Sequence, residues 1–295
     1  MAPYHDLPES LLRMGPTARS QLTNLMCLPS CRSYLARLVG HRPLEVGSFG
    51  IVSGDAGGTP APSLGFHARM TRVVDLTHVL DPDFPTYSGE TQLRYQALAS
   101  VERDGWNYGE WTLHEHTGTH LDAPLHRCAG RSAEALPAAS LVGPLVLIDI
   151  RTRAAKDPDA MVSADDLRQW EVSHGPIPGG AIVAMNSGWS AHARTQRYRG
   201  ADKDGTLHFP GFHVEAVEFL RSTRNVSGIA VDTLSLDPGV STDFPAHTRW
   251  LGSGGWGLEC VANLDQLPPA GAMVVVGSPK LAGASGGPSR VFAFV

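Results

Sequence analysis

The sequence predicts an α/β fold, and three observations carry the prediction. Short apolar, β-branched runs recur from Arg72 onward. They alternate with stretches of helical character, and at 295 residues with 42% hydrophobic side chains the chain is long enough to bury a sizeable core. In chain order the runs are Val73-Val74, Leu145 to Ile148, Ile182 to Met185, Ile229 to Val231 and Met273 to Val276. Their lengths suit strands rather than helices. Ser163 stands three residues before Asp166 and just ahead of Leu167 and Trp170, the pattern of an N-capped helix start. A second helix is expected over 213–221, where Val214, Val217, Phe219 and Leu220 supply the apolar positions. Runs this uniformly apolar suit a central sheet covered by helices.

The region before Arg72 reads differently. Residues 1–70 lack sustained periodicity and end in Ser53-Gly54-Asp55-Ala56-Gly57-Gly58-Thr59-Pro60-Ala61-Pro62, too poor in apolar side chains to build a core. They are expected to form an N-terminal extension and linker, with the catalytic domain over 71–295. A short helix fits 33–39. Cys27 and Cys31 would need two further close ligands to make a four-cysteine zinc site, and the sequence offers none nearby.

Composition narrows the function. The formal net charge is -5 and no run of five or more Lys and Arg occurs, so the footprint of a nucleic-acid binder is missing. No stretch approaches the ~20 apolar residues of a membrane span. A small-molecule partner is expected.

The chemistry concentrates between Leu113 and His126, where His114, His116, His120, Asp122 and His126 fall within thirteen positions. Imidazole and carboxylate are the ligands that zinc and manganese accept. An extended strand would set His116 and His120 about 13 Å apart, at ~3.3 Å per residue, so the chain must bend between them. Gly118 lies midway and tolerates the backbone angles a bend requires, whereas Pro124 bars a regular helix from the later half. A tight loop or one helical turn brings His116, His120 and Asp122 together. His126, beyond Pro124, is placed as an acid/base group beside the metal. A second cluster, Asp243-Phe244-Pro245-Ala246-His247, is followed by Glu259 with four glycines between. That glycine-rich segment carries no Walker lysine and does not match a dinucleotide fingerprint.

The segment His116-Thr117-Gly118-Thr119-His120-Leu121-Asp122-Ala123-Pro124-Leu125-His126 resembles the signature of the putative cyclase family, which includes bacterial kynurenine formamidase and isatin hydrolase. The resemblance runs from about Val73 to Val295, through Val74 to His78, Met185 to Trp189, Asp232 to Asp237 and Gly283 to Arg290. It implies a swivelling β/β/α fold with a central β-barrel-like sheet, a homodimer or homotetramer, and a centre of one or two zinc or manganese ions used to open amide, lactam or ester bonds. By the same resemblance His116, His120 and Asp122 hold the first ion, His247 and Glu259 complete the site, and His126, with Glu259, serves catalysis. A divalent ion lowers the pKa of water towards ~7 and polarises a carbonyl, which agrees with hydrolysis. The family also implies an alternative, a metal-dependent cyclase or dehydratase acting on a polyketide-like intermediate.

Phe84, Tyr87, Trp106, Trp111, Trp189 and Phe212 are the aromatic candidates for an apolar substrate pocket. Tyr87 leads, since the family's segment at Asp83 to Gly89 lies near the substrate, and Phe84 and Trp189 follow. The Cys27 to Arg42 region looks like a decayed twin-arginine leader. Gly40-His41-Arg42 lacks the arginine pair, so a cytoplasmic enzyme is expected.

Overall fold

The apolar runs become strands of one large sheet. The structure, a computed structural model, describes residues 72–295, and the readings made for the N-terminal extension, Cys27, Cys31 and the helix over 33–39 lie outside the described residues. In chain order the strands are β1 (Val73–Asp75), β2 (Leu93–Ala99), β3 (Tyr108–Leu113), β4 (His120–Asp122), β5 (Val142–Asp149), β6 (Met161–Val162) and β7 (Ile182–Asn186). They continue with β8 (Gly211–Phe212), β9 (Gly228–Val231), β10 (Trp256–Glu259), β11 (Ala270–Gly277), β12 (Gly286–Pro288) and β13 (Arg290–Phe294). The principal helices are α1 (Ala164–His174), α2 (Val214–Thr223) and α3 (Pro245–Leu251). No helix among the described residues is long and apolar enough to cross a membrane.

Nine strands form a single mixed, strongly curled sheet in the order β1-β13-β11-β5-β7-β9-β10-β4-β12. The middle, β5-β7-β9-β10, is parallel, and both flanks are antiparallel. Strand alternation divides the core in two. Leu145, Leu147, Ile182, Ala184, Ala230 and Leu258 point into one apolar cluster with Leu121, Val274 and Val291. Val146, Ile148, Val183, Met185, Ile229 and Val231 point into the other, against Leu167 and Trp170 of α1, Val217 and Leu220 of α2, and Trp250 of α3. Hence the helices cover one face, and curling lets the other face enclose its own core. Each fully buried Leu or Ile contributes about 1.5–3 kcal/mol.

Both expected helices form where the capping signals lie. Ser163 caps α1 by accepting the Asp166 N–H, and Asp166 reaches back to the Ser163 N–H. Burial opposes ionisation of Asp166, but the Arg153 guanidinium and the Ser163 N–H and O–H outweigh it and hold the carboxyl below its ordinary value of 3.8. A depressed folded-state pKa means stability that is complete above the unfolded value and lost as pH falls through the folded one. Acid unfolding monitored by circular dichroism below pH ~4 is therefore expected to show a shallower pH dependence in Asp166→Asn than in the native chain. Equal slopes would remove Asp166 from the acid response.

Strands β2 and β3 pair only with each other, in a hairpin that stands off the main sheet. Its base carries Gln92, whose carbonyl accepts from the His114 N–H. The sequence periodicity did not reveal this hairpin, because most of both its faces are exposed and no alternation of burial marks it.

Candidate metal centre

The chain bends at Gly118, as the spacing of His116 and His120 requires, and it does so by a tight loop rather than a helical turn. Gly118 has φ +63°, and a Cβ there would lie 1.9 Å from Leu80 Cδ2, so only glycine fits. Its carbonyl accepts from His120 Nδ1 at 2.8 Å, which fixes the tautomer and leaves Nε2 turned to the site. The short strand β4 then alternates: Leu121 is buried in the core cluster, while His120 and Asp122 share the opposite face.

Register brings in the distal residues. β10 runs antiparallel beside β4 with Glu259 directly opposite His120. β12 flanks the other side with Gly286 opposite Asp122. A Cβ at Gly286 would lie 2.6 Å from His116 Cε1, so the missing side chain makes room for that imidazole. His247 enters from the first turn of α3, whose start follows Phe244, a non-glycine residue held at φ +51°.

Six side chains converge. His116 Nδ1 lies 2.6 Å from Asp122 Oδ1, and His120 Nε2 lies 3.2 Å from the same oxygen. His247 Nε2 lies 3.0 Å from Glu259 Oε1 and 3.5 Å from Asp122 Oδ2, and Glu259 Oε2 is 3.5 Å from His120 Nε2. The His126 ring packs 3.9 Å from that of His116, centroid to centroid. Two groups have ligand atoms all within 4.8 Å of one another: His116, His120 and Asp122, and then Asp122, His126 and His247, joined at Asp122. The structure thus places a His126 ring nitrogen within ligand distance of Asp122 and His247. His114 stays outside both groups.

These residues fit a divalent cation. His120 Nε2 and Asp122 Oδ2 are buried with no aligned hydrogen-bond partner, an arrangement that costs free energy unless something charged is bound between them. The donor set, imidazole nitrogens and two carboxylates, is that of zinc and manganese sites. Burial opposes charging His120, yet Asp122 and Glu259 raise its pKa to about 9. His247 likewise overcomes burial through Asp122, Asp237 and Glu259 and lies well above its ordinary value. Burial would raise Asp122, but the charge of His120 and the hydrogen bond from His116 hold it well below the usual carboxylate range. Glu259 is pushed up by burial and by the charge of Asp122. His126, by contrast, is lowered to about 4, chiefly by burial.

Several supporting residues were not legible in the sequence. Asp237 accepts from His247 Nδ1 at 2.6 Å and from the backbone N–H groups of Ala246 and His247, so it orients the imidazole and the start of α3 together. Ser285 meets His116 Nε2 at 2.9 Å and donates to Glu115, giving Glu115 a positioning role. The signal available was the polar segment Asp232 to Asp237 and the Gly283 to Arg290 segment, but neither spacing nor composition links them to β4.

The centre opens into a cavity of about 230 Å³ lined by Tyr87, Gln92, Arg127, Leu234, Phe244 and the centre's four histidines and Glu259. Tyr87 stands in its wall, 5.9 Å from the Phe244 ring. Phe84 and Trp189 are not in that lining. They are buried with Tyr198 and Phe209 in a cluster that meets the cavity through Leu234 and Cys260, and the Trp189 indole N–H donates to the Tyr198 carbonyl. Phe212 is buried against the helical face of the sheet, and Trp106 and Trp111 are exposed on and beside the β2–β3 hairpin.

Comparison with known proteins agrees with this geometry. Residues 74–238 match the family described as Putative cyclase. Isatin hydrolase of Roseibium aggregatum is 32% identical over 244 residues, spanning 76% of this chain and 91% of that protein. Kynurenine formamidase of Salinibacter ruber is 27% identical over 221 residues, 74% of this chain and 95% of its own. The solved structure of isatin hydrolase A from Labrenzia aggregata bound to benzyl benzoate superposes with a TM-score of 0.72 at 38% identity, over 76% of this chain and 93% of that one. With more than half its length matched to the family and its fold shared with isatin hydrolases, this chain belongs to the putative cyclase family and is a metal-dependent hydrolase.

Proposed function

We propose that this hydrolase opens a C–N acyl bond, in an amide or lactam of a small aromatic substrate, at a centre of one or two zinc or manganese ions. The observation that carries the reading is the convergence of His116, His120 and Asp122 with His247 and Glu259, with His120 Nε2 and Asp122 Oδ2 buried and lacking an aligned hydrogen bond. His116, His120 and Asp122 would hold one ion, and Asp122, His247 and Glu259 a second. Ions so placed supply acidified water and a polarised carbonyl. His126 borders the same cavity, where a ring nitrogen can take a proton from water and deliver it to the leaving nitrogen. Asp237 and the Gly118 carbonyl keep His247 and His120 in the required tautomers. Tyr87, Phe244 and Leu234 supply the apolar wall for an aromatic acyl group.

The test is elemental analysis of the purified protein together with hydrolysis of N-formylkynurenine, isatin and simple aryl esters by the native chain and by His126→Ala. Metal retained in both, with kcat roughly a hundredfold lower in the variant, is the expected result. Metal lost from the variant would make His126 a ligand instead. Bound metal with no hydrolysis of any compound would transfer the function to the family's cyclase or dehydratase chemistry, and metal absent from both proteins would refute the centre itself.

A further inference from the structure

Arg127 follows His126 directly and lines the same cavity as His116, His120, His247 and Glu259. Its neighbours of like charge are engaged: Arg194 pairs with Asp81 at 2.7 Å, and Arg199 donates to the Tyr87 and Ser88 carbonyls. The Arg127 backbone N–H donates to the Pro124 carbonyl, but among the described residues no carboxylate or carbonyl pairs with its guanidinium. The guanidinium lies over the face of Phe244, 5.0 Å from its carbon to the ring centroid. The cation is thus held over an aromatic plane with its N–H donors uncommitted.

The platform under it is built at a cost. Phe244 holds φ +51°, a left-handed conformation that an L side chain rarely adopts and that persists only where its surroundings enforce it. Pro245 follows at once and begins α3, and the Phe244 N–H is tied to the Ser241 hydroxyl at 3.2 Å. That backbone angle aims the ring into the site, 5.9 Å from the Tyr87 ring and 5.9 Å from the His247 ring. Arg127 and His247 therefore pack against the same ring and line the same cavity.

We propose that Arg127, seated on Phe244, is a specificity-determining residue that binds a carboxylate carried by the substrate, so that this hydrolase acts on aryl amides or lactams bearing an anionic group. The inference rests on the amide-hydrolase reading above and names its substrate class. A guanidinium presents paired N–H donors in the geometry of a carboxylate, and a substrate ring lying beside Phe244 and Tyr87 would carry its carboxylate to Arg127 while the scissile carbonyl reaches the histidines.

The experiment measures binding, which does not depend on turnover. Calorimetric titration of the full chain with anthranilate and with 2-aminobenzamide, its uncharged counterpart of similar shape, is compared for the native protein, Arg127→Gln and Arg127→Lys. Native protein is expected to favour anthranilate roughly tenfold, Arg127→Gln to bring the two affinities together, and Arg127→Lys to keep part of the preference. Unchanged thermal unfolding of the variants checks that they fold. Failure of the native chain to bind anthranilate, equal affinities in the native chain, or a preference that survives Arg127→Gln each overturns the proposal. In a parallel assay, the ratio of kcat/KM for N-formylanthranilate over formanilide should fall by a similar factor in Arg127→Gln. If the binding preference holds while the native enzyme hydrolyses neither compound, the amide-hydrolase reading fails and the anion site stands.

Discussion

Replacing Asp122 by Asn is expected to empty the centre of metal and to lower kcat/KM by about a thousandfold or more, because the contribution of a catalytic ion amounts to several kcal/mol of transition-state stabilisation. Asp122 is the residue common to both candidate ligand groups. Its Oδ1 faces His116 and His120, and its Oδ2 faces His247. An amide keeps the shape but removes the charge and turns a donor towards one set of imidazoles, so neither group stays complete. Elemental analysis and steady-state kinetics on the same preparation check both parts. Full metal occupancy in Asp122→Asn would place the ion elsewhere and dissolve the proposed centre.

Gly118→Val is expected to destabilise the protein by about 2–5 kcal/mol, from the left-handed backbone it must adopt and from overpacking against Leu80. The damage reaches the site as well, because the Gly118 carbonyl sets the His120 tautomer, and loss of such a partner typically costs 10–100-fold in metal affinity. Urea unfolding gives the first quantity and metal titration the second. Adding Leu80→Ala should recover the share due to the clash and leave the backbone share, so the double variant separates them. An unchanged urea midpoint in Gly118→Val would mean that the bend tolerates a side chain and that this reading of the loop is wrong.

Much of this molecule is encoded locally. Short apolar, β-branched runs marked β1, β5, β7, β9 and β11, apolar spacing marked α2, and the Ser163/Asp166 capping pair that marked α1 lies where its spacing placed it. The need for a bend between His116 and His120, and glycine's fitness to make it, followed from rise per residue and allowed backbone angles alone. Such features involve residues within one or two turns of each other, so their geometry is set by covalent connectivity and near-neighbour sterics.

Other features had no local signature. Nothing in the segment Trp256–Glu259 says that it lies antiparallel to β4 with Glu259 opposite His120, since register is decided by backbone hydrogen bonds between strands far apart in the chain. The pairing of Asp237 with His247, the contact of Ser285 with His116 and the stacking of Arg127 on Phe244 are likewise products of packing. The division of the aromatic residues, Tyr87 in the cavity wall but Phe84 and Trp189 in a buried cluster, also depended on which apolar surfaces the folded chain brings together. By itself the sequence determined the α/β class, the helix starts, and the bend and ligand types of the histidine segment, all governed by short-range geometry. Tertiary structure alone decided how the distant His247 and Glu259 reach the histidine segment, what orients them and what lines the cavity, because those depend on long-range strand register and on the sharing of buried space among side chains.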